Sequence, residues 1–153
     1  MDTTNDIAFM QLALEQARAA AALGEVPVGA VVVADGEVVA CAHNRREVDL
    51  DPAAHAEFLA LSKAAEVLGR WRLSDCTVYV TLEPCLMCAG LMLQARIARC
   101  VFGASDPKAG ALGTLYSVHE DSRLNHSFIV EPGVCAKESA QLLSSFFAQL
   151  RAG

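Results

Sequence analysis

The chain has no apolar run near the roughly 20 residues that a membrane span needs, so no membrane association is expected. It has no excess of positive charge: 12 Lys and Arg stand against 18 Asp and Glu, a formal net charge of −6. A broad basic surface, the usual footprint of nucleic-acid binding, is therefore not predicted, although the total is compatible with a local basic patch. There is no Gly/Ser- or Pro-rich linker, internal repeat or low-complexity tract, so one domain over residues 1–153 is expected. The first residues, Met1-Asp2-Thr3-Thr4-Asn5-Asp6, lack the basic and apolar regions of a secretory or organellar signal. A cytoplasmic location is the expectation.

The composition is 54% hydrophobic and 20% charged, which excludes a disordered chain and allows a full core over 153 residues. Of the six cysteines, Cys41, Cys76 and Cys100 sit in or beside strand-like apolar runs and read as small buried residues. Cys135 reads as a structural thiol near the start of the last helix. A disulfide framework suits a secreted chain better than this one. Cys85 and Cys88 remain.

Ile7, Met10, Leu14, Ala17 and Ala21 recur at helical spacing, predicting an amphipathic helix over 6–23, capped by Asn5 or Asp6 and ended by Gly24. Residues 28–33 and 37–41 predict a hairpin closed by Asp35-Gly36. After a polar loop, Asp51-Pro52 has the form of a helix start, and Gly69 that of its end. Strands are expected at 76–82, 99–104 and 127–131. A helix over about 85–96 would make the first two of these a parallel βαβ unit. A short helical piece is expected near 112–118, and Leu143, Phe146, Phe147 and Leu150 mark a C-terminal helix. The sum is an α/β fold: a five-stranded mixed sheet between helices, three layers α/β/α.

Two short motifs carry the chemistry. Cys85 and Cys88, at i and i+3 of a helix start, can point two sulfurs at one ion, and the helix dipole favours their thiolate forms. His55 opens another helix and offers a third ligand. A Cys-x-x-Cys alone fits a redox pair or half of a structural zinc site. No second such pair exists, His43, His119 and His126 have no obvious pairing, and a redox reading leaves His55-Ala56-Glu57 unexplained. Three ligands with an open fourth position describe a catalytic zinc that activates water. Glu57 is either a solvated helix carboxylate or the proton shuttle such a site requires.

His-x-Glu followed by Pro-Cys-x-x-Cys matches the signature of zinc nucleobase deaminases. Along nearly its whole length the chain resembles the bacterial tRNA-specific adenosine deaminases of the cytidine deaminase superfamily. The likeness is carried by Glu25–Val31, Asn44-Arg45, Asp51–Glu57, Thr81–Gly90, Val101–Ala104, Asp106–Ala111, Asn125-His126 and Leu142–Phe147. The resemblance implies a cytidine-deaminase-like fold. It implies hydrolytic deamination of adenosine to inosine at the wobble position of a tRNA anticodon stem-loop, releasing ammonia, by a homodimer with one zinc per subunit. By position, His55, Cys85 and Cys88 would bind zinc. Glu57 would move the proton, Asn44 would bond the base, Val28 would line its pocket, and the Ala56 N–H would meet the oxygen developing at C6. Asp106 would accept a 2′-hydroxyl, or else is a turn acid before Pro107. Arg45, Arg46 and Lys108 are candidate RNA contacts, or else solvated charges. Phe146-Phe147 is expected in a core or interface rather than under a base. Two other readings stand beside this one: a free-base deaminase of guanine or cytosine, and a non-catalytic zinc-stabilised RNA-binding or dimerisation module. The second has no use for Glu57.

Overall fold

The described residues form five strands and five helices, and four of the helices carry the apolar periodicity of the sequence; the short helix Arg46–Asp49 does not. The computed structural model describes residues 3–153; Met1 and Asp2 of the polar N-terminal stretch lie outside the described residues. The order is α1 (Thr3–Ala22), β1 (Gly29–Ala34), β2 (Glu37–His43), α2 (Arg46–Asp49), α3 (Ala56–Leu68), β3 (Cys76–Leu82), α4 (Leu86–Ala95), β4 (Arg99–Ala104), a 3₁₀ turn (Val118–Glu120), β5 (Ile129–Glu131) and α5 (Ala136–Ala152). The sheet runs β2-β1-β3-β4-β5. β1 is antiparallel to β2 and β3, whereas β3, β4 and β5 are parallel. The β1–β2 hairpin turns at Asp35 (φ 53°) and Gly36 (φ 76°), the two positive-φ positions such a turn demands.

Period-two alternation sorts the strands' side chains into two cores. Ala30, Val32, Val78, Val80, Cys100 and Phe102 pack toward residues of α3 and α4. Val31, Val33, Tyr79 and Val101 pack toward α1 and Leu142 of α5. β1 and β4 are buried along their whole length, as central strands covered on both faces must be. The result is the three-layer α/β/α arrangement with a mixed sheet. Gly29 and Gly103 lie where helices press closest: a Cβ on Gly29 would strike the Ala13 carbonyl of α1, and one on Gly103 the Ser139 hydroxyl of α5.

The structure departs from the sequence reading at five places, one of them the short α2, which falls in the expected polar loop. α1 begins at Thr3, so Asp6 is not a cap. It lies inside the helix and is buried against Arg99 of β4, with N–O distances of 2.9 and 2.5 Å, and it accepts the Tyr79 hydroxyl at 2.8 Å. α3 begins at Ala56 rather than at Asp51-Pro52. The Asp51 side chain instead accepts the Ala53 N–H at 2.9 Å, and its carbonyl the Ala54 N–H, closing a turn that competes with helix. Residues 112–117 form no helix; Leu112 and Ser117 pair as an isolated antiparallel bridge before the 3₁₀ turn that starts at Val118. Cys41 is exposed, because β2 is an edge strand, whereas Cys76 and Cys100 are buried as expected. All six cysteines are free thiols. No helix among the described residues is long and apolar enough to cross a membrane.

Candidate active site

The ends of two helices meet at one point. His55 is the N-cap of α3, in extended conformation (φ −81°, ψ 148°), because the Asp51 turn delays the helix until Ala56. Cys85 is the N-cap of α4, and Cys88 lies in its first turn. The His55 Nδ1 is 3.6 Å from the Cys85 sulfur and 3.4 Å from the Cys88 sulfur. All three ligand atoms lie within 4.8 Å of one another. A tetrahedral zinc, with bonds of about 2.3 Å to sulfur and about 2.0–2.1 Å to nitrogen, sets those atoms about 3.5 Å apart. The spacing and the donor set therefore both fit zinc. The partial positive charges of the two helix N-termini also favour thiolates here.

The three groups share their protons. The Cys85 thiol is pulled down to about 3, chiefly by its hydrogen bond from Cys88 and then by that from His55. The Cys88 thiol is pushed up by the same partnership and by burial, and the hydrogen bond to Cys85 raises His55. A divalent cation between them would hold both sulfurs as thiolates. Glu57, in the first turn of α3, is only 4% exposed. Burial pushes its carboxyl up from 4.5 to about 7, opposed weakly by its own N–H and by His55.

The cavity above this group is about 200 Å³. Val26, Val28 and Leu82 give it apolar walls, and Asn44, Arg46, Glu57 and Asp106 give it polar ones. Asn44 is buried, and its Oδ1 accepts the Ala56 N–H at 2.8 Å. That bond has two consequences. The Ala56 N–H is already taken, which departs from its expected contact with a developing oxygen. The Asn44 amide is also fixed in orientation, with its NH₂ as the free donor. Asp106 lies on the wall, and one of its oxygens closes a turn by accepting the Lys108 and Ala109 N–H groups at 3.0 and 3.2 Å. It is both a turn acid and a pocket residue, with its other oxygen uncommitted. Arg45 is spent on Asp49 (3.0 Å through both nitrogens), while Arg46 lines the cavity. A neighbouring groove, shared at Val26, Leu82 and Asp106, runs past Lys108 to Phe147. Phe147 is exposed and meets Phe146 edge-on at 5.4 Å, so it belongs to no core.

Residues 4–151 match the model of the MafB19-like deaminases. The tRNA-specific adenosine deaminase of Bacillus subtilis (strain 168) is 47% identical over 148 residues, covering 97% of this chain and 92% of that protein. This chain belongs to the tRNA-specific adenosine deaminase family. The Haemophilus influenzae member is 48% identical over 147 residues, covering 95% of this deaminase and 85% of that protein. A solved tRNA:A34 deaminase, studied for A-to-I editing at the wobble position of transfer RNA, superposes with a TM-score of 0.86 at 44% identity, covering 89% of this chain and 99% of that one. A solved guanine deaminase from Nitrosomonas europaea superposes with a TM-score of 0.78 at 27% identity, covering 93% and 84%.

Two buried carboxylates of this deaminase escape sequence reasoning. Glu25 is 2% exposed and accepts the Glu47 and Val48 N–H groups at 3.2 and 2.7 Å, holding the short α2 beside Arg46. Glu83, equally buried, collects hydrogen bonds from residues 106, 112 and 114. Both lie in segments that carry the family likeness, which is the only signal that singles them out. Their partners lie too far along the chain for spacing to reveal.

Proposed function

We infer that this chain hydrolyses adenosine to inosine at the wobble position (34) of a tRNA anticodon and releases ammonia. The observation that carries the chemistry is Glu57, a carboxyl raised to about 7 on the pocket floor beside His55, Cys85 and Cys88. The near-full-length likeness to tRNA-specific adenosine deaminases carries the substrate. The whole of residues 1–153 acts as a single catalytic domain.

His55, Cys85 and Cys88 would hold one zinc per subunit, and bound zinc supplies a Lewis acid that makes water ionisable near neutral pH. Glu57, balanced between its two forms at that pH, takes a proton from water, gives one to the purine N1, and helps ammonia leave. Val28 presses on the face of the base, and the free Asn44 NH₂ donates to its edge. Ala56 contributes by orienting Asn44. The uncommitted oxygen of Asp106 accepts a ribose 2′-hydroxyl, a contact DNA cannot offer. Arg46 and Lys108 meet phosphates, and Arg45 lends less because Asp49 neutralises it. Leu86 and Met87, exposed between the two cysteine ligands, are apolar surface that the second subunit of a homodimer would cover. A cytoplasmic location follows from the tRNA substrate.

Deamination of free guanine or cytosine is the second reading, favoured by the likeness to a guanine deaminase at lower identity. One assay separates the two. The protein is incubated with an arginine-tRNA anticodon stem-loop bearing wobble adenosine and, in parallel, with free guanine, cytosine and adenosine; inosine and ammonia are measured. Inosine in the RNA supports the first reading. Turnover of a free base alone replaces it with the second, and no turnover anywhere points to a binding module.

A further inference from the structure

We propose that Glu83 is a positioning residue whose carboxylate clamps segment 106–114 and so holds Asp106 on the pocket wall. The proposal rests on the reading of Asp106 as a contact to an RNA sugar.

Glu83 is 2% exposed, and no Lys, Arg or His pairs with it among the described residues. Its charge is met by hydrogen-bond donors of one loop instead. One oxygen accepts the Asp106 N–H at 3.0 Å and the Thr114 hydroxyl; the other accepts the Leu112 and Thr114 N–H groups, both at 3.1 Å. A carboxylate has about four lone-pair sites, and four donors fill them. Glu83 therefore has none left for substrate, although it borders the cavity, and acts through the loop it gathers.

The surroundings are built for this clamp. A Cβ on Gly110 would collide with the Glu83 carboxylate, so the loop wraps the acid at van der Waals distance only because residue 110 has no side chain. The Pro84 carbonyl accepts the Ala111 N–H at 2.9 Å, and the Glu83 N–H donates to Ala104 at the end of β4 at 2.8 Å. The segment that leads into the Cys85 ligand thus also anchors the loop that carries Asp106. One Asp106 oxygen is tied to Lys108 and Ala109 within the same loop. The direction of the other oxygen is then set by the backbone that Glu83 holds.

The test uses the zinc-loaded full chain and its Glu83→Gln, Thr114→Val and Asp106→Asn variants. The substrates are the RNA stem-loop with wobble adenosine and the same RNA with 2′-deoxyribose at the target nucleotide and both neighbours. Glutamine turns an NH₂ toward groups of which only the Thr114 hydroxyl can accept, so at least one backbone N–H of the loop loses its acceptor. Glu83→Gln should keep its metal and raise KM more than it lowers kcat. Its amide exchange at Asp106, Leu112 and Thr114 should speed at least about tenfold. The wild-type preference for the all-RNA substrate, about tenfold for one hydrogen bond to a charged group, should fall toward one. Thr114→Val, which removes one donor, should do the same to a lesser degree, and it decides the matter if Glu83→Gln does not fold. Unchanged exchange at these amides overturns the clamp. If Asp106→Asn abolishes the RNA preference and Glu83→Gln keeps it, the sugar contact stands and the clamp's role falls. If Asp106→Asn keeps the preference, the sugar contact falls and the proposal falls with it.

Discussion

Removing one partner of the Asp6–Arg99 pair should cost far more than removing both. The pair joins α1 to β4, with side chains 10% and 5% exposed. The guanidinium grips both carboxylate oxygens while Tyr79 donates to one of them. Arg99→Met leaves a buried carboxylate with one hydroxyl donor, and breaking a buried pair in this way costs about 3–5 kcal/mol. Asp6→Leu strands the guanidinium, whose Nε already has no partner, at a similar cost. In Asp6→Leu/Arg99→Met an apolar contact replaces two desolvated charges, so the double variant should lie within about 1 kcal/mol of wild type, or above it. The singles therefore sum to about 6–10 kcal/mol against roughly zero for the double, a coupling of several kcal/mol. Urea unfolding at pH 7 with zinc saturating measures this, as midpoint shifts at constant slope. The pH dependence gives a second check. The Arg99 hydrogen bond lowers the Asp6 carboxyl, so the pair's contribution is complete above the unfolded value of about 3.9 and is lost as pH falls through the folded value. The double variant should be correspondingly flatter in acid. Single variants that each cost under about 1 kcal/mol, or a double equal to the sum of its parts, would refute the reasoning.

Glu57→Ala should lower kcat by about 10²–10⁴-fold while metal analysis still finds zinc bound; loss of metal would assign Glu57 to the ligand set instead. In zinc-depleted protein the raised Glu57 carboxyl makes the folded state bind more protons than the unfolded between pH 4.5 and about 7. Stability should therefore fall as pH rises across that window and level off above it, and Glu57→Gln should lose the slope in denaturant titrations. Asn44→Ala leaves the buried Ala56 N–H without its acceptor, at about 1–3 kcal/mol, and should raise KM for every substrate the enzyme turns over. Gly29→Ala forces a methyl against the Ala13 carbonyl and should destabilise by about 1–3 kcal/mol, read as a lower melting temperature.

What the sequence discloses is what lies close together along it. All five strands were legible within a few residues, because alternation and the Asp35-Gly36 turn are local patterns. The three residues that could hold a metal were legible for the same reason, since Cys85 and Cys88 are one turn apart and His55 stands two residues before Glu57. Local signals also misled. Asp51-Pro52 has the form of a helix start, yet its side-chain turn ends before the helix and leaves His55 extended at the N-cap, free to face the cysteines. Asp6 has the form of a cap, but its partner Arg99 lies in β4, and no spacing rule links the two. Glu83 gathers residues 106 to 114 by a fold that places the β4 exit beside the β3 exit, which follows only once β3 and β4 are known to pair in parallel.

Four acids are buried among the described residues, and their partners differ. Asp6 has a guanidinium, Glu25 two backbone N–H groups, and Glu83 four donors. Each of these three carboxylates is held by donors that tie one part of the fold to another. Glu57 is the exception: its own N–H, His55 and the Cys88 thiol favour its charge, but burial outweighs them. At 4% exposed it is no solvated helix charge, and burial raises its carboxyl to about 7 against the opposing pull of His55. What sets Glu57 apart from the other three acids is therefore its partners, not its burial. An arginine or a pair of backbone donors aimed at Glu57 would stabilise its charge and slow the reaction.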